Sequence, residues 1–331
     1  MAEMTAAQRA VLFAQGTRQN WHTLGKKTAG AGESISFVLP KARLLSNIFL
    51  DFSFKIGGLT TASDVSFNAS EFIEKIELNL NNGFTPFSLS GKALEMLNST
   101  ETIWKNNDGS LMSSARFKNT LTDTADFMLY LRNALNDRDT VSYILLQNDT
   151  TYAELTVYLK SNPMPIMGAT AMKTFECSVT PTLETFTIPT TGLPDLSVLK
   201  LVHSRNQMYD SGRSEIKMST GTIYRKIILA FPADTELDGN IELVFNQADI
   251  NYSISPHMLS QIAAMRGSDV KYPMSRGRTC YVVDLSYQGI LNMGGTRDYI
   301  DSEKLTEFSI RFNAKTAGTC EIITETLARL S

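Results

Sequence analysis

Residues 76–98 (IELNLNNGFTPFSLSGKALEMLN) lie over residues 241–263 (IELVFNQADINYSISPHMLSQIA) without a gap, at an offset of 165 in a chain of 331 residues. Self-similarity at a fixed offset means a duplicated unit, which constrains the fold more than any single residue does. Of these 23 positions, 7 are identical: Ile76/Ile241, Glu77/Glu242, Leu78/Leu243, Asn81/Asn246, Ser88/Ser253, Ser90/Ser255 and Leu94/Leu259. Weaker matches flank the segment in the same order. TRQNW at 17–21 lies over SRNQM at 204–208 (offset 187), FVL…LLSNIFLDF over IKM…IYRKIILAF (offset 179), and YILLQNDTT at 143–151 over FSIRFNAKT (offset 165). Chance matches have no reason to be collinear. The offset changes only in loop-like stretches, so the second copy reads as the first with shorter loops, where insertions cost least.

The length exceeds what one hydrophobic core usually supports, so two domains are expected on size alone. The duplication places a first domain at 31–165 and a second at 196–331. Between them, SNPMPIMGATAMK and PTTGLPDLS are rich in Pro, Gly and Ser, so 166–195 reads as a linker. Residues 1–30 form a separate arm, with a short amphipathic helix over 4–15 and TAGAGES (28–34) as a hinge. No run of about 20 apolar residues is present to span a bilayer as a helix. The start MAEMTAAQRAVLFAQG lacks the pattern of a signal peptide, so synthesis in the cytoplasm is the expectation.

Most of the body alternates with period two, the signature of strands with one buried face. In IFLDFSFKI, Ile48, Leu50, Phe52, Phe54 and Ile56 share one face while Asp51, Ser53 and Lys55 share the other. Comparable runs recur at 76–80, 125–131, 141–146, 153–159, 222–231, 240–245, 280–287, 307–312 and 320–324. They are short, bounded by Asn/Asp/Gly turns, and mostly lack helices between them, so the fold class is all-β, of sandwich or jelly-roll type. Each copy carries one helix at the same place. Ser90 and Ser255 are placed to cap its free N–H groups, and Pro256 suits the first helical position.

Groups for chemistry are sparse. The three histidines, His22, His203 and His257, share no local motif, which excludes the duplicated β-sandwich enzymes that need His-rich metal sites. Cys177, Cys280 and Cys320 are odd in number and scattered, so neither a disulfide framework nor a zinc site is expected. One string imitates a calcium loop: Asp234, Glu236 and Asp238 start it, but Phe245 stands where a bidentate carboxylate belongs, so a surface turn is the favoured reading. There is no nucleophile elbow and no phosphate-binding loop. No catalytic residue and no cofactor is assigned, and the chain is expected not to be an enzyme. The net charge of −3 is small, yet residues 1–30 carry Arg9, Arg18, Lys26 and Lys27 against Glu3 alone. A basic arm on a mildly acidic body suits an anionic surface.

Two β-rich copies, each with the strand–loop–helix segments IELNLNN…SLSGKALEMLN and IELVFNQ…SISPHMLSQIA, preceded by a short basic arm and lacking a catalytic motif, resemble the double jelly-roll major capsid proteins of tailless icosahedral viruses, especially bacteriophages with an internal membrane. The resemblance implies two tandem eight-stranded barrels with short helices in loops and an N-terminal helical arm. It also implies a homotrimer of pseudo-hexagonal outline, in contact with neighbouring trimers and with vertex or minor capsid proteins, tiling a virion shell. The arm would then meet the internal lipid membrane, with Arg9, Arg18, Lys26 and Lys27 at headgroups and Val11, Leu12 and Phe13 as apolar contacts. No sequence-specific nucleic-acid binding is implied. The rival readings are a carbohydrate-active or carbohydrate-binding tandem β-sandwich, which predicts a monomer with a cleft of carboxylates and aromatics, and a viral spike or vertex protein, which predicts trimers without a lattice.

Overall fold

The computed structural model describes residues 6–61, 65–81, 83–100, 115–119, 124–135, 141–146, 152–190, 196–233, 235–247, 249–265, 278–285 and 299–329. The chain divides into two compact units. The first comprises residues 1–98, 111–200 and 329–331, and the second comprises 99–110 and 201–328.

In the first unit the alternating runs become eight strands: β1 (Gln19–Thr23), β2 (Ser34–Val38), β3 (Leu44–Gly57), β4 (Ile73–Leu80), β5 (Phe84–Leu89), β6 (Thr124–Arg132), β7 (Ala153–Leu159) and β8 (Thr174–Phe186). They pair antiparallel in two sheets, ordered β1-β8-β3-β6 and β2-β7-β4-β5. Strand β3 shows why: Ile48, Leu50, Phe52 and Phe54 are wholly buried while Asp51 and Lys55 are exposed, as period two requires. The core side is aromatic, with Phe127 of β6 stacked on Phe52 and Phe54 at 5.3 and 5.9 Å. Each such ring contributes about 2–3 kcal/mol through apolar burial alone.

The second unit repeats this with β9 (Val198–Tyr209), β10 (Gly212–Met218), β11 (Ile223–Pro232), β12 (Leu237–Phe245), β13 (Asp249–Ile254), β14 (Arg278–Asp284), β15 (Phe308–Ala314) and β16 (Gly318–Arg329). Its sheets are β9-β16-β11-β14 and β10-β15-β12-β13, the same order advanced by eight. One core joins both sheets, with Phe231 of β11 against Phe312 of β15 at 5.1 Å and Ile241, Leu243 and Ile322 buried around them.

The register shows what the identical residues do. Ile76 faces Leu89 and Glu77 faces Ser88 in the β4–β5 hairpin; Ile241 faces Ile254 and Glu242 faces Ser253 in β12–β13. The pairing shifts after Leu78 in the first hairpin and after Leu243 in the second. Both turns hinge on an asparagine at φ 50°, Asn81 and Asn246, a left-handed conformation that Asn tolerates. Each side chain then ties the turn to the next strand. Asn81 Oδ1 accepts the Tyr152 N–H at 3.0 Å, and Asn246 Oδ1 accepts the Thr306 N–H at 3.0 Å. Helices α2 (Gly91–Ser99) and α3 (Pro256–Met265) follow, capped as expected: Ser90 Oγ accepts the Ala93 N–H at 2.9 Å and Ser255 Oγ the Met258 N–H at 3.3 Å. Leu94 and Leu259 bury the inner face of each helix.

Three sequence expectations change. First, the match of 143–151 to 308–316 is out of step: β15 repeats β7, since Leu155 faces Leu78 as Ile310 faces Leu243, so 308 corresponds to 153. A pattern of period two can slide by an even number of residues and keep its face. Of the run 141–146, Ile144 and Leu145 pair with Leu45 and Leu44 on β3. Second, the expected linker 166–195 contains β8, which runs the length of β3. The Pro- and Gly-rich stretches that suggested a linker flank β8, and the strand itself accommodates Pro181. The β1 ladder ends at Thr23 and resumes only at Lys27–Ala29, opposite Val179–Cys177, and Pro181 sits in that gap, its carbonyl accepting the Leu24 N–H at 2.8 Å. The donor that proline lacks therefore falls where the edge ladder is broken. Third, the arm of residues 1–30 is shorter than expected, because Gln19–Thr23 and Lys27–Ala29 are strands of the first unit.

Candidate functional site

Helix α1 (Ala6–Gly16) realises the expected N-terminal helix. It does not present all of its apolar residues. Phe13 is only 5% exposed and packs against Tyr143 and Phe186 at 5.5 Å each, beside Leu44, so it anchors α1 to the first unit and is withdrawn from any lipid contact. Val11 remains exposed and Leu12 half-buried; the Arg9 side chain lies outside the described residues. Of the basic residues, Arg18, Lys26 and Lys27 are exposed. Lys27 is engaged: its ammonium donates to the Ser36 carbonyl at 2.5 Å and lies 5.1 Å from the centroid of the Phe37 ring.

The calcium-like string also acquires a different partner. Glu236 and Asp238 converge on the Lys315 ammonium, at 2.5 and 3.8 Å, and that ammonium holds the Glu236 carboxyl below the usual range. Asp234 lies outside the described residues. A lysine thus supplies the positive charge between these carboxylates. Among the described residues no group of three or more His, Cys, Asp or Glu converges for a metal. His22, His203 and His257 stand exposed on β1, β9 and α3. The three cysteines are free and buried, and burial pushes the Cys177 thiol up, so it stays protonated. An open cavity of about 370 Å³ on the second unit is lined by Lys217, Met218, Gln247, Thr306, Glu307 and Phe308; its one acid, Glu307, is paired with Lys217 at 3.1 Å. Trp21 is exposed, with its ring 5.3 Å from Phe49. Trp104, the other tryptophan considered as a stacking platform, lies outside the described residues.

The duplicated helices differ in their surroundings. Every residue of α2 except Lys92 is buried. The connection from β3 to β4 folds over it, and a Cβ on Gly91 would stand 2.4 Å from the Ser70 carbonyl oxygen. Glu95 points into this cover, where its Oε2 accepts from Asn68 Nδ2 at 2.6 Å and Ser70 Oγ at 2.5 Å. Burial raises its pKa to about 7, against those hydrogen bonds, a further one from the Ala115 backbone and the nearby Lys92, which all pull it down. Asn98 Nδ2 donates to the Tyr130 carbonyl and its Oδ1 accepts the Tyr130 N–H, at 2.8 and 3.0 Å. In the second unit only four residues separate β11 from β12, and that connection offers no equivalent cover among the described residues. Helix α3 rests on β14 and β12 and exposes Met258 and Met265.

No family model and no curated protein matches the chain. Solved structures do. The STIV MCP superposes with a TM-score of 0.71 at 12% identity, covering 94% of this chain and 97% of that one. The major capsid protein P2 from Bacteriophage PM2 gives 0.60 at 13% identity, covering 95% and 98%. The PBCV-1 virus capsid gives 0.61 at 10% identity, covering 93% of each. The fold is the double jelly roll.

Two features of this double jelly roll escaped the sequence reading. Glu95 occupies a helical position that solvent usually takes, and its burial depends on residues 68–70 and 115, distant in sequence. Among the described residues, the β11–β12 connection is too short to give α3 the cover that the β3–β4 connection gives α2. That shortness is visible in the sequence as the shrinking offset, but its effect on a helix about 25 residues later is not.

Proposed function

We propose that this chain is a major capsid protein, three copies of which form a pseudo-hexagonal capsomer that tiles an icosahedral virion shell. The observation that carries this reading is the doubling of one strand order within one chain, each copy with its own core and neither with a convergent catalytic group among the described residues. Two similar barrels per chain let a threefold assembly present six similar edges, which is what hexagonal tiling needs. The proteins similar in fold that bear capsid names support it. On this reading the chain is not an enzyme, and it meets neighbouring trimers and vertex proteins in the shell.

Contact with an internal membrane is part of the same proposal, in reduced form. Val11, Leu12, Arg18, Lys26 and Lys27 remain as its candidates, with Arg9, while Phe13 serves the fold. Light scattering after size exclusion, followed by negative-stain microscopy of the expressed protein, tests the main reading. Trimers that form hexagonal sheets or shells are expected. Monomers that bind or cleave glycans would establish the carbohydrate-active alternative, and trimers that never form a lattice would favour a spike.

A further inference from the structure

Among the described residues Trp21 is the aromatic side chain most exposed to water, at 56%. The pairing of β1 with β8 fixes what surrounds it. Gln19 and Thr23 are its same-face neighbours on β1, Glu184 lies directly opposite on β8, and Thr182 lies diagonally. Gln19 and Thr23 are exposed, while Glu184 and Thr182 are half-buried. Two amides hold the Glu184 carboxylate in place: Gln19 Nε2 donates to its Oε1, and buried Asn47 donates through Nδ2 to its Oε2. Thr23 Oγ1 and Thr182 Oγ1 are 3.1 Å apart. The indole lies 5.3 Å from the Phe49 ring, which stacks on buried Tyr130 at 4.6 Å, so the exposed ring is braced from within the sheet.

An apolar ring framed by an amide, a carboxylate and two hydroxyls narrows the class of partner. The exposed part of one indole offers roughly 100–150 Å² of apolar area. A stable protein contact needs about 800 Å² from each partner, so the ring is too small to seat a second protein by itself. On the same sheet face Asp51, Asp126, Glu176 and Glu184 stand against Lys55 and Arg132, with Lys26 near Asp51. The face therefore lacks the basic excess that nucleic acid or an anionic headgroup requires. A neutral sugar meets both conditions. The C–H edges of a pyranose carry the slight positive charge that an indole face attracts, and its hydroxyls can exchange hydrogen bonds with the donors and acceptors of the frame. We propose that Trp21, with Gln19, Thr23, Thr182 and Glu184 around it, binds a neutral hexopyranose unit of a glycan. The proposal does not rest on the trimeric capsid reading and leaves that reading as it stands.

Saturation-transfer difference spectra of the full-length protein with maltohexaose, cellohexaose, chitohexaose and mannohexaose in turn test it. At least one of these is expected to bind, in the millimolar range that a single stacked ring allows, with transfer to its ring C–H protons. Trp21→Ala is expected to weaken that binding at least tenfold and Glu184→Gln severalfold, while Trp21→Tyr keeps most of it, each variant retaining the circular dichroism of the wild type. A wild-type protein that binds none of the four, or binding that Trp21→Ala leaves unchanged, overturns the assignment. So does heparin or an anionic phosphatidylglycerol vesicle that binds through Trp21 in place of the sugars, or self-association that Trp21→Ala abolishes in a protein that binds no sugar. Light scattering on the same samples reports the oligomeric state, which bears on the capsid reading and not on this one.

Discussion

Glu95 should make the first jelly roll less stable as pH rises, in a window set by one carboxyl group. In the unfolded chain this group ionises near 4.5; in the fold, burial beneath the β3–β4 connection raises it to about 7. A raised folded-state pKa means that the native state holds the proton more tightly, so its contribution is complete below 4.5 and lost as pH climbs through 7. At 1.36 kcal/mol per pH unit the span amounts to about 3 kcal/mol, with most of the change falling between pH 5 and pH 8. Glu95→Gln removes the titration and keeps one oxygen to accept from Asn68 and Ser70. The variant should match the wild type near pH 4.5 and exceed it by about 3 kcal/mol at pH 8, which for a unit of this size is about 6–12 °C in melting temperature. The assay is thermal melting of both proteins every half pH unit, followed in the first unit by hydrogen exchange at the α2 amides. Parallel curves across the whole range would refute the argument. So would a variant less stable than the wild type at pH 8, since the charged carboxylate would then be the form that the pocket favours.

The remaining predictions concern turns, close packing and the N-terminal segment. Asn246→Ala should cost the second unit about 1–2 kcal/mol, through left-handed backbone strain and the lost bond to the Thr306 N–H, with Asn246→Gly milder; denaturant midpoints at constant slope measure it. Gly91→Ala should cost about 2 kcal/mol or more, because the new carbon meets both the Ser70 carbonyl oxygen and Cβ of Ile73, the first residue of β4; a melting temperature equal to the wild type would contradict the packing of α2. Phe13→Ala should cost about 3 kcal/mol by emptying the cluster with Tyr143 and Phe186. Deleting residues 2–16 should then lower the melting temperature less than deleting 2–30, which also removes β1 and leaves the edge of β8 unpaired; equal effects would show that β1 contributes nothing.

What the sequence disclosed and what it hid follow one physical line. Local signals were legible: period-two alternation located most strands, and the serines that cap α2 and α3 were readable from spacing. The seven identities also proved informative after the fact, since they are core positions, cross-strand partners, a left-handed turn and a cap. What failed depended on partners far along the chain. The shift of 143–151 arose because alternation fixes a face without fixing a register. The span 166–195 read as a linker from the Pro- and Gly-rich stretches on either side of β8, whose partner β3 lies more than a hundred residues away. Phe13 read as a free apolar residue of an arm because its partners Tyr143 and Phe186 lie more than a hundred residues off. The candidate site behaved likewise: Glu236 and Asp238 were found, but Lys315, which answers them, lies in the connection between β15 and β16, nearly eighty residues away.

The two tight asparagine turns bear on how such a chain avoids confusing its own halves. Sixteen strands built on one pattern invite pairing between a strand and the wrong copy of its neighbour, and nothing in the hairpin registers discriminates, because they coincide. Distance along the chain does discriminate. Three residues join β4 to β5 and three join β12 to β13, whereas the wrong copy lies 165 residues away. The difference is nearly six doublings of loop length, or about 3.5 kcal/mol of closure entropy in favour of the local partner. Each half therefore has a nucleus that closes before the other half is within reach, and the brevity of a turn does the proofreading that sequence divergence would otherwise have to supply.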